Sequence, residues 1–258
     1  MKKSAVLIFS MLLVFSLTCL DNALSKEQSP EKKAKKQSIT KDVKKQSNIE
    51  GIGNFKIGKT KIDIMKDLES EFGTQIETTS GDYDLYKMKG KKNSIFQIIP
   101  EQENSIPPSL CPDFKQYYIP VYIIADMTIT ELKLNFYKDI LSSIECDSSE
   151  ELVEALELKY GKPESKIDKK SVSCFYKHTG NKVTLEEISI YSDWYNKDIN
   201  AHNAVMSFYS SKCEPLFAKK LYIYDSNISK TIFQCDQDIR QRTDDSKKRE
   251  RLKNLKGF

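Results

Sequence analysis

The chain has 258 residues, 30% of them charged, with 41 Lys+Arg against 37 Asp+Glu. The positive excess sits at the ends: residues 1–25 carry two basic and one acidic residue, 26–50 eight and four, and 240–258 eight and three, which leaves 23 basic against 29 acidic in 51–239. A mildly acidic central segment argues against a nucleic-acid-binding face, and its length suits one domain with a real core.

Lys2 and Lys3 precede an apolar run from Ala5 to Leu20, broken only by Ser10, Ser16 and Thr18. Sixteen helical residues reach about 24 Å, short of the ~30 Å hydrocarbon layer. Ala23-Leu24-Ser25 then supplies the small-x-small pattern of a signal-peptidase site. Residues 1–25 are therefore expected to be a signal peptide cleaved after Ser25. The mature chain is expected in the periplasm or outside the cell, without a transmembrane span. Two other readings stay open: a retained anchor, and a lipoprotein attached through Cys19, whose flanking Ser16 and Thr18 depart from the usual lipobox. Residues 26–50 are rich in Lys, Gln, Ser and Glu and nearly devoid of apolar side chains, the composition of a disordered tether.

Thr60-Lys-Ile-Asp63 reads as a helix start capped by the Thr60 hydroxyl, with Ile64, Met65, Leu68 and Phe72 on one face and Gly73 as a left-handed stop. Strands are expected at Asp84–Met88 and Ser94–Ile99 around a Lys89–Lys92 turn, and a loop at Glu101–Phe114 around Pro107, Pro108 and Pro112. Further strands read at Gln116–Met127, Ile129–Phe136 and Ile140–Cys146, with Tyr137–Asp139 as a turn. Ser148-Ser-Glu-Glu151 forms a capping box, Leu152, Leu156 and Tyr160 stack at i+4, and Gly161-Lys-Pro163 ends this second helix. Strands follow at Ser171–Lys177, Lys182–Tyr191, His202–Tyr209 and Ala218–Tyr224. Ile228, Ile232, Cys235 and Ile239 fit a helix, although 228–235 also tolerates a strand. Residues 240–258 form a basic charged tail. Short connections imply antiparallel pairing, because a parallel step needs a crossover of a dozen or more residues. The expected class is α+β: two helix-plus-antiparallel-sheet modules, 51–146 and 147–239, in one globular unit.

Gly58-Lys-Thr60 with Ile64 and Leu68, and Ser149 with Val153, Leu156 and Gly161-Lys-Pro163, resemble the helix motif of BamE/SmpA-type envelope proteins. In that family Gly-Met-Thr opens a helix and Leu-Gly-x-Pro closes one before an antiparallel sheet. Here Lys59 replaces the Met, and no Pro follows Gly73 closely. The tandem order is similar to that of β-lactamase-inhibitor proteins. The resemblance covers about thirty residues and implies a non-enzymatic binding or scaffold protein. It transfers no site residue.

Gly53-Asn-Phe-Lys-Ile-Gly58-Lys59-Thr60 satisfies the phosphate-loop pattern GxxxxGK[ST], and Val121–Asp126 mimics its acidic partner strand. A true phosphate loop follows a buried strand, whereas Lys44–Glu50 is charged, so a turn leading into a helix is the preferred reading. Nucleotide binding, or an enzyme built on this turn, is the alternative. Five cysteines follow the signal: Cys111, Cys146, Cys174, Cys213 and Cys235. Their odd number leaves at least one thiol unpaired, and sequence does not set the pairing. Cys174 and His178, four residues apart on a strand, stand about 13 Å apart, too far for a thiol–imidazole pair. Asp193, Asp198 and His202, near Trp194, Tyr195 and Asn200, include cation-binding side chains but lack the EF-hand rhythm. A loop anchored by Trp194 is preferred. No catalytic, cofactor or metal residue is assigned. Tyrosines and phenylalanines concentrate on the strands, and the half that alternation turns outward is the expected surface for a protein or envelope partner.

Overall fold

The computed structural model describes residues 48–80, 87–99, 109–176 and 179–255. The chain divides into residues 1–42 and 43–258, and every element here belongs to the second unit. The signal-peptide assignment, the tether up to residue 47, His178 and residues 101–108 of the expected loop lie outside the described residues.

The fold is α+β: three helices among the described residues, a nine-stranded sheet and a small hairpin. The hairpin is β1 (Gly51–Ile52) with β2 (Phe55–Lys56). Helix α1 (Ile64–Phe72) precedes β3 (Ile76–Ser80), β4 (Ile95–Ile99), β5 (Phe114–Ile124), β6 (Met127–Tyr137) and β7 (Ile140–Asp147). Helix α2 (Glu150–Tyr160) precedes β8 (Glu164–Phe175), β9 (Lys182–Asn196), β10 (Ile199–Tyr209) and β11 (Pro215–Asp225), and helix α3 (Ser226–Leu255) follows. The sheet order is β3-β4-β5-β6-β7-β11-β10-β9-β8, so the last strand of each run meets the other at the β7/β11 junction. All neighbours are antiparallel except β3 and β4, joined by residues 81–94, a connection long enough to cross over.

The β5–β6 and β6–β7 links are two-residue turns in which Ala125 and Asp126, then Lys138 and Asp139, all have positive φ, as the twist-matched hairpin turn requires. Helices α1 and α2 and the small hairpin lie on one sheet face. There Met65 and Leu68 of α1 join Leu152, Leu156 and Tyr160 of α2 and the inward side chains of β5–β7 in one core. The i+4 stripe of α2 therefore behaves as its spacing predicts. The Tyr160 hydroxyl donates to the Gly51 carbonyl at 3.1 Å and ties α2 to the hairpin. Gly51 has φ +143°, and a Cβ there would lie 1.9 Å from the Phe55 carbonyl oxygen, so only glycine closes this turn.

Several expectations need correction. Thr60 does not cap α1. Its hydroxyl accepts from Lys56 N at 2.7 Å and donates to Asn54 O at 3.1 Å, closing the hairpin, while the helix begins four residues later behind Asp63. Gly73 does end α1 in the left-handed conformation. The cap of α2 is Ser149, which accepts from Leu152 N; Ser148 instead donates its amide to Lys219 O. Strand β3 is absent from the sequence reading, and Lys87–Met88 are helical rather than strand. β8 begins at Glu164, seven residues before the expected strand. Ile49, expected in the tether, is 2% exposed and sits in the core. Residues 228–235 are helical, and the helix runs through the expected tail as far as Leu255, with 240–253 exposed.

Two disulfides form, Cys111–Cys235 and Cys174–Cys213, and Cys146 is the free thiol. Two disulfides point to an oxidising, extracytoplasmic compartment. The first explains the path of α3. Crossing from β11 to β5 takes three inter-strand steps, about 14 Å, and the nine helical steps from Ser226 to Cys235 rise about 13.5 Å. The helix thus spans the strand ends and is clipped beside the start of β5. There Asp236 also accepts from Ser109 Oγ and Leu110 N, each at 2.8 Å.

Candidate functional site

The sheet face opposite α1 and α2 is polar at its centre, because alternation that turns Leu134, Ile144, Leu221 and Ile223 inward turns their neighbours outward. Register aligns these neighbours into rows. One row is Lys133, Glu145, Tyr222, His202 and Asp193; the next is Asn135, Ser143, Tyr224, Asn200 and Tyr195.

In the first row Lys133 Nζ lies 3.6 Å from Glu145, and from the adjacent row Lys220 Nζ lies 3.8 Å from Glu145 and 3.0 Å from Asp147. Burial works to lower the Lys220 pKa, but the hydrogen bond and charge of Asp147, then of Glu145, outweigh it and hold the ammonium above its ordinary value. His202 Nδ1 sits 2.5 Å from Asp193 Oδ1, and its ring stacks on Tyr191 with centroids 5.2 Å apart. This fixes the imidazole and leaves Nε2 to an outside partner. Gln116 donates to Asn135 at 2.7 Å, and Asn135 donates to Ser143 at 2.8 Å. Burial, then Glu145, raises the Tyr222 pKa, so the phenol stays a neutral donor. Asn135, Ser143, Glu145, His202, Tyr222 and Tyr224, with Ser229 of α3, line an open cavity of about 410 Å³. Asp193 also borders a smaller polar cavity of about 220 Å³ with Glu164 and Lys162.

The other expected constellations come apart. Asp193 and His202 meet as cross-strand partners, but Asp198 turns to Asn227 at 3.0 Å on α3. Among the described residues no group of three His, Cys, Asp or Glu converges on a metal position. The expected loop around Trp194 is instead strand: β9 continues to Asn196 and β10 begins at Ile199, with Trp194 buried on the opposite face and donating to Gly161 O at 2.7 Å, so the anchor holds but not the loop. In the phosphate-loop-like turn the amides of Lys56, Ile57, Gly58, Lys59 and Thr60 all donate within the protein, so they form no anion cradle. Lys59 pairs with Glu50 at 3.3 Å, and Asp126 occupies the tight β5–β6 turn. Cys174 is bonded to Cys213. Cys146 lies in the core, where burial, and then Asp147, push its thiol up to about 12, an unreactive state.

The strand aromatic residues that sequence left unsorted are now assigned. Tyr117, Tyr122 and Phe136 serve the core, Tyr118 is buried against Phe96 on the open face, and Tyr191, Tyr195, Tyr222 and Tyr224 line or flank the polar rows. Glu145 and Lys220 escaped sequence reasoning, since nothing local relates them; the only available signal was alternation with Ile144 and Leu221. No family model, curated protein or solved structure matches this chain.

Proposed function

We propose that the chain is an exported, non-catalytic binding protein of the cell envelope that engages its partner through the open polar-aromatic face. In this reading residues 1–25 are a cleaved signal peptide, the following Lys-rich segment is a tether, and the two helix-plus-sheet runs are modules presenting one continuous face. The observation that carries the reading is the Lys133–Glu145–Tyr222–His202–Asp193 row, whose paired charges and half-exposed rings border a shallow cavity without a nucleophile hydrogen-bonded to the imidazole. Paired charges give register and specificity to a docked partner, while tyrosines supply contact area at low entropic cost.

Affinity capture from envelope extract with wild type, Tyr222→Ala and His202→Ala tests it. A partner held by wild type and lost from both variants, with unchanged melting, supports the open face. A partner retained by both variants would overturn it. Terminal sequencing of protein made in its native host should begin at Lys26; lipid on Cys19 would replace the cleaved form by a lipoprotein.

A further inference from the structure

Strands β8–β11 run on past α2, and the face that carries the core in the rest of the sheet is bare there. Ile167, Ile190, Phe175 and Phe217 are 61%, 40%, 56% and 74% exposed. All four share the core-side face. Ile190 lies four residues from buried Trp194 on β9, Phe217 four from buried Leu221 on β11, Ile167 pairs with Ile190, and Phe175 follows Ile167 by eight. An exposed apolar surface of this kind marks a docking site. The patch also carries lysines, although the segment 51–239 is net acidic. On the apolar face itself stand Lys169, Lys182 and Lys219; Glu186 pairs with Lys169 at 2.9 Å and Glu150 of α2 lies 3.8 Å from Lys219, so the patch keeps a net positive charge with Lys182 as its excess lysine.

We propose that this face docks onto an anionic lipid bilayer, with Phe175 and Phe217 entering the headgroup boundary, Lys182 meeting lipid phosphates and Lys169 and Lys219 exchanging their surface carboxylates for them. Lysines suit this role because their stems lie along apolar surface while the ammonium reaches the charged layer. A second copy fits poorly, since two-fold pairing would set the lysines of one face against those of the other. The Cys174–Cys213 bond and the Phe175 amide donated to Ser211 O at 3.2 Å tie the two hairpin ends together, so both rings are presented by one fixed support. No helix among the described residues is long and apolar enough to cross a membrane, so contact through this face would be peripheral. Docking here would leave the opposite, polar face turned away from the lipid.

The test is co-sedimentation of the full exported chain with phosphatidylcholine vesicles and with vesicles that also contain phosphatidylglycerol. Wild type should bind the anionic vesicles, and Phe175→Ser with Phe217→Ser should weaken binding about tenfold or more without changing the melting temperature. Lys169→Glu with Lys182→Glu should weaken it comparably, and added salt should do the same. Equal sedimentation of wild type and both variants would assign lipid binding to the basic ends and overturn the proposal. So would concentration-dependent self-association that the Phe variants abolish while vesicles bind nothing. Tyr222→Ala should bind vesicles like wild type, which separates this test from that of the polar face.

Discussion

The two halves of the sheet solve the problem of support differently. In β5–β7, alternate side chains such as Ile119, Leu132, Leu134, Phe136 and Leu141 are at most 1% exposed, packed under α1, α2 and the hairpin. In β8 only Cys174 is buried, and the outer ends of β9–β11 lie open on the core side. The near half is held by a hydrophobic core, whereas the far half is a twisted ribbon held by its hydrogen-bond ladder, surface ion pairs and one disulfide. Where apolar burial runs out, a covalent link replaces it.

If so, the largest effect should come from removing that link. Cys174→Ser with Cys213→Ser opens a loop of 39 residues, worth about 4 kcal/mol in the chain-entropy estimate. Hydrogen exchange should rise in β8–β11 while β5–β7 stay protected; uniform loss across both halves would break the comparison. In the near half, Leu134→Ala or Leu156→Ala should cost about 2–5 kcal/mol in denaturant titrations, through lost burial and a residual cavity. Ile167→Ala, its counterpart in the far half, should cost under about 0.5 kcal/mol.

Alkaline pH should also act through the near half. An unfolded Cys146 loses its proton near pH 9, while the folded thiol keeps it to about 12. Between those values the unfolded chain therefore holds fewer protons, and stability must fall as pH rises. Below pH 9 the thiol is protonated in both states and contributes no slope. Cys146→Ala should flatten the decline in melting temperature above pH 9, and an unchanged decline would remove Cys146 as its source.

The smallest effects concern the cap of α2 and the hairpin before α1. Ser149→Ala should cost about 1 kcal/mol through the lost cap, and Ser148→Ala much less. Thr60→Ala should cost about 1 kcal/mol too, because it leaves the Lys56 amide without its acceptor. Lys59→Ala should change thermal stability little, since its ion pair with Glu50 is largely exposed.

Sequence alone determined what depends on neighbours a few residues apart. The i+4 stripe of α2, the left-handed stop at Gly73, the turn at Lys138-Asp139 and the middles of β5–β7 and β9–β11 follow from periodicity and turn chemistry, which operate within one or two turns of chain, whereas the β9–β10 turn reads in sequence as a longer loop. The five cysteines beyond residue 25 cannot all pair with one another, so one of them had to be left over. Other elements carried no local signal. Glu164–Lys170 alternates poorly because an edge strand wet on both faces needs no apolar period, and Ile76–Ser80 shows one apolar residue in five. Tertiary structure alone decided the β7–β11 junction, the choice of Cys111 with Cys235 and Cys174 with Cys213, and the use of Thr60 for a hairpin rather than a helix. It alone set Glu145 beside Tyr222 and His202 beside Asp193. Partners such as Glu145 and Tyr222 lie far apart along the chain, and register between strands is settled by how the whole apolar face packs, a quantity no short window of residues contains.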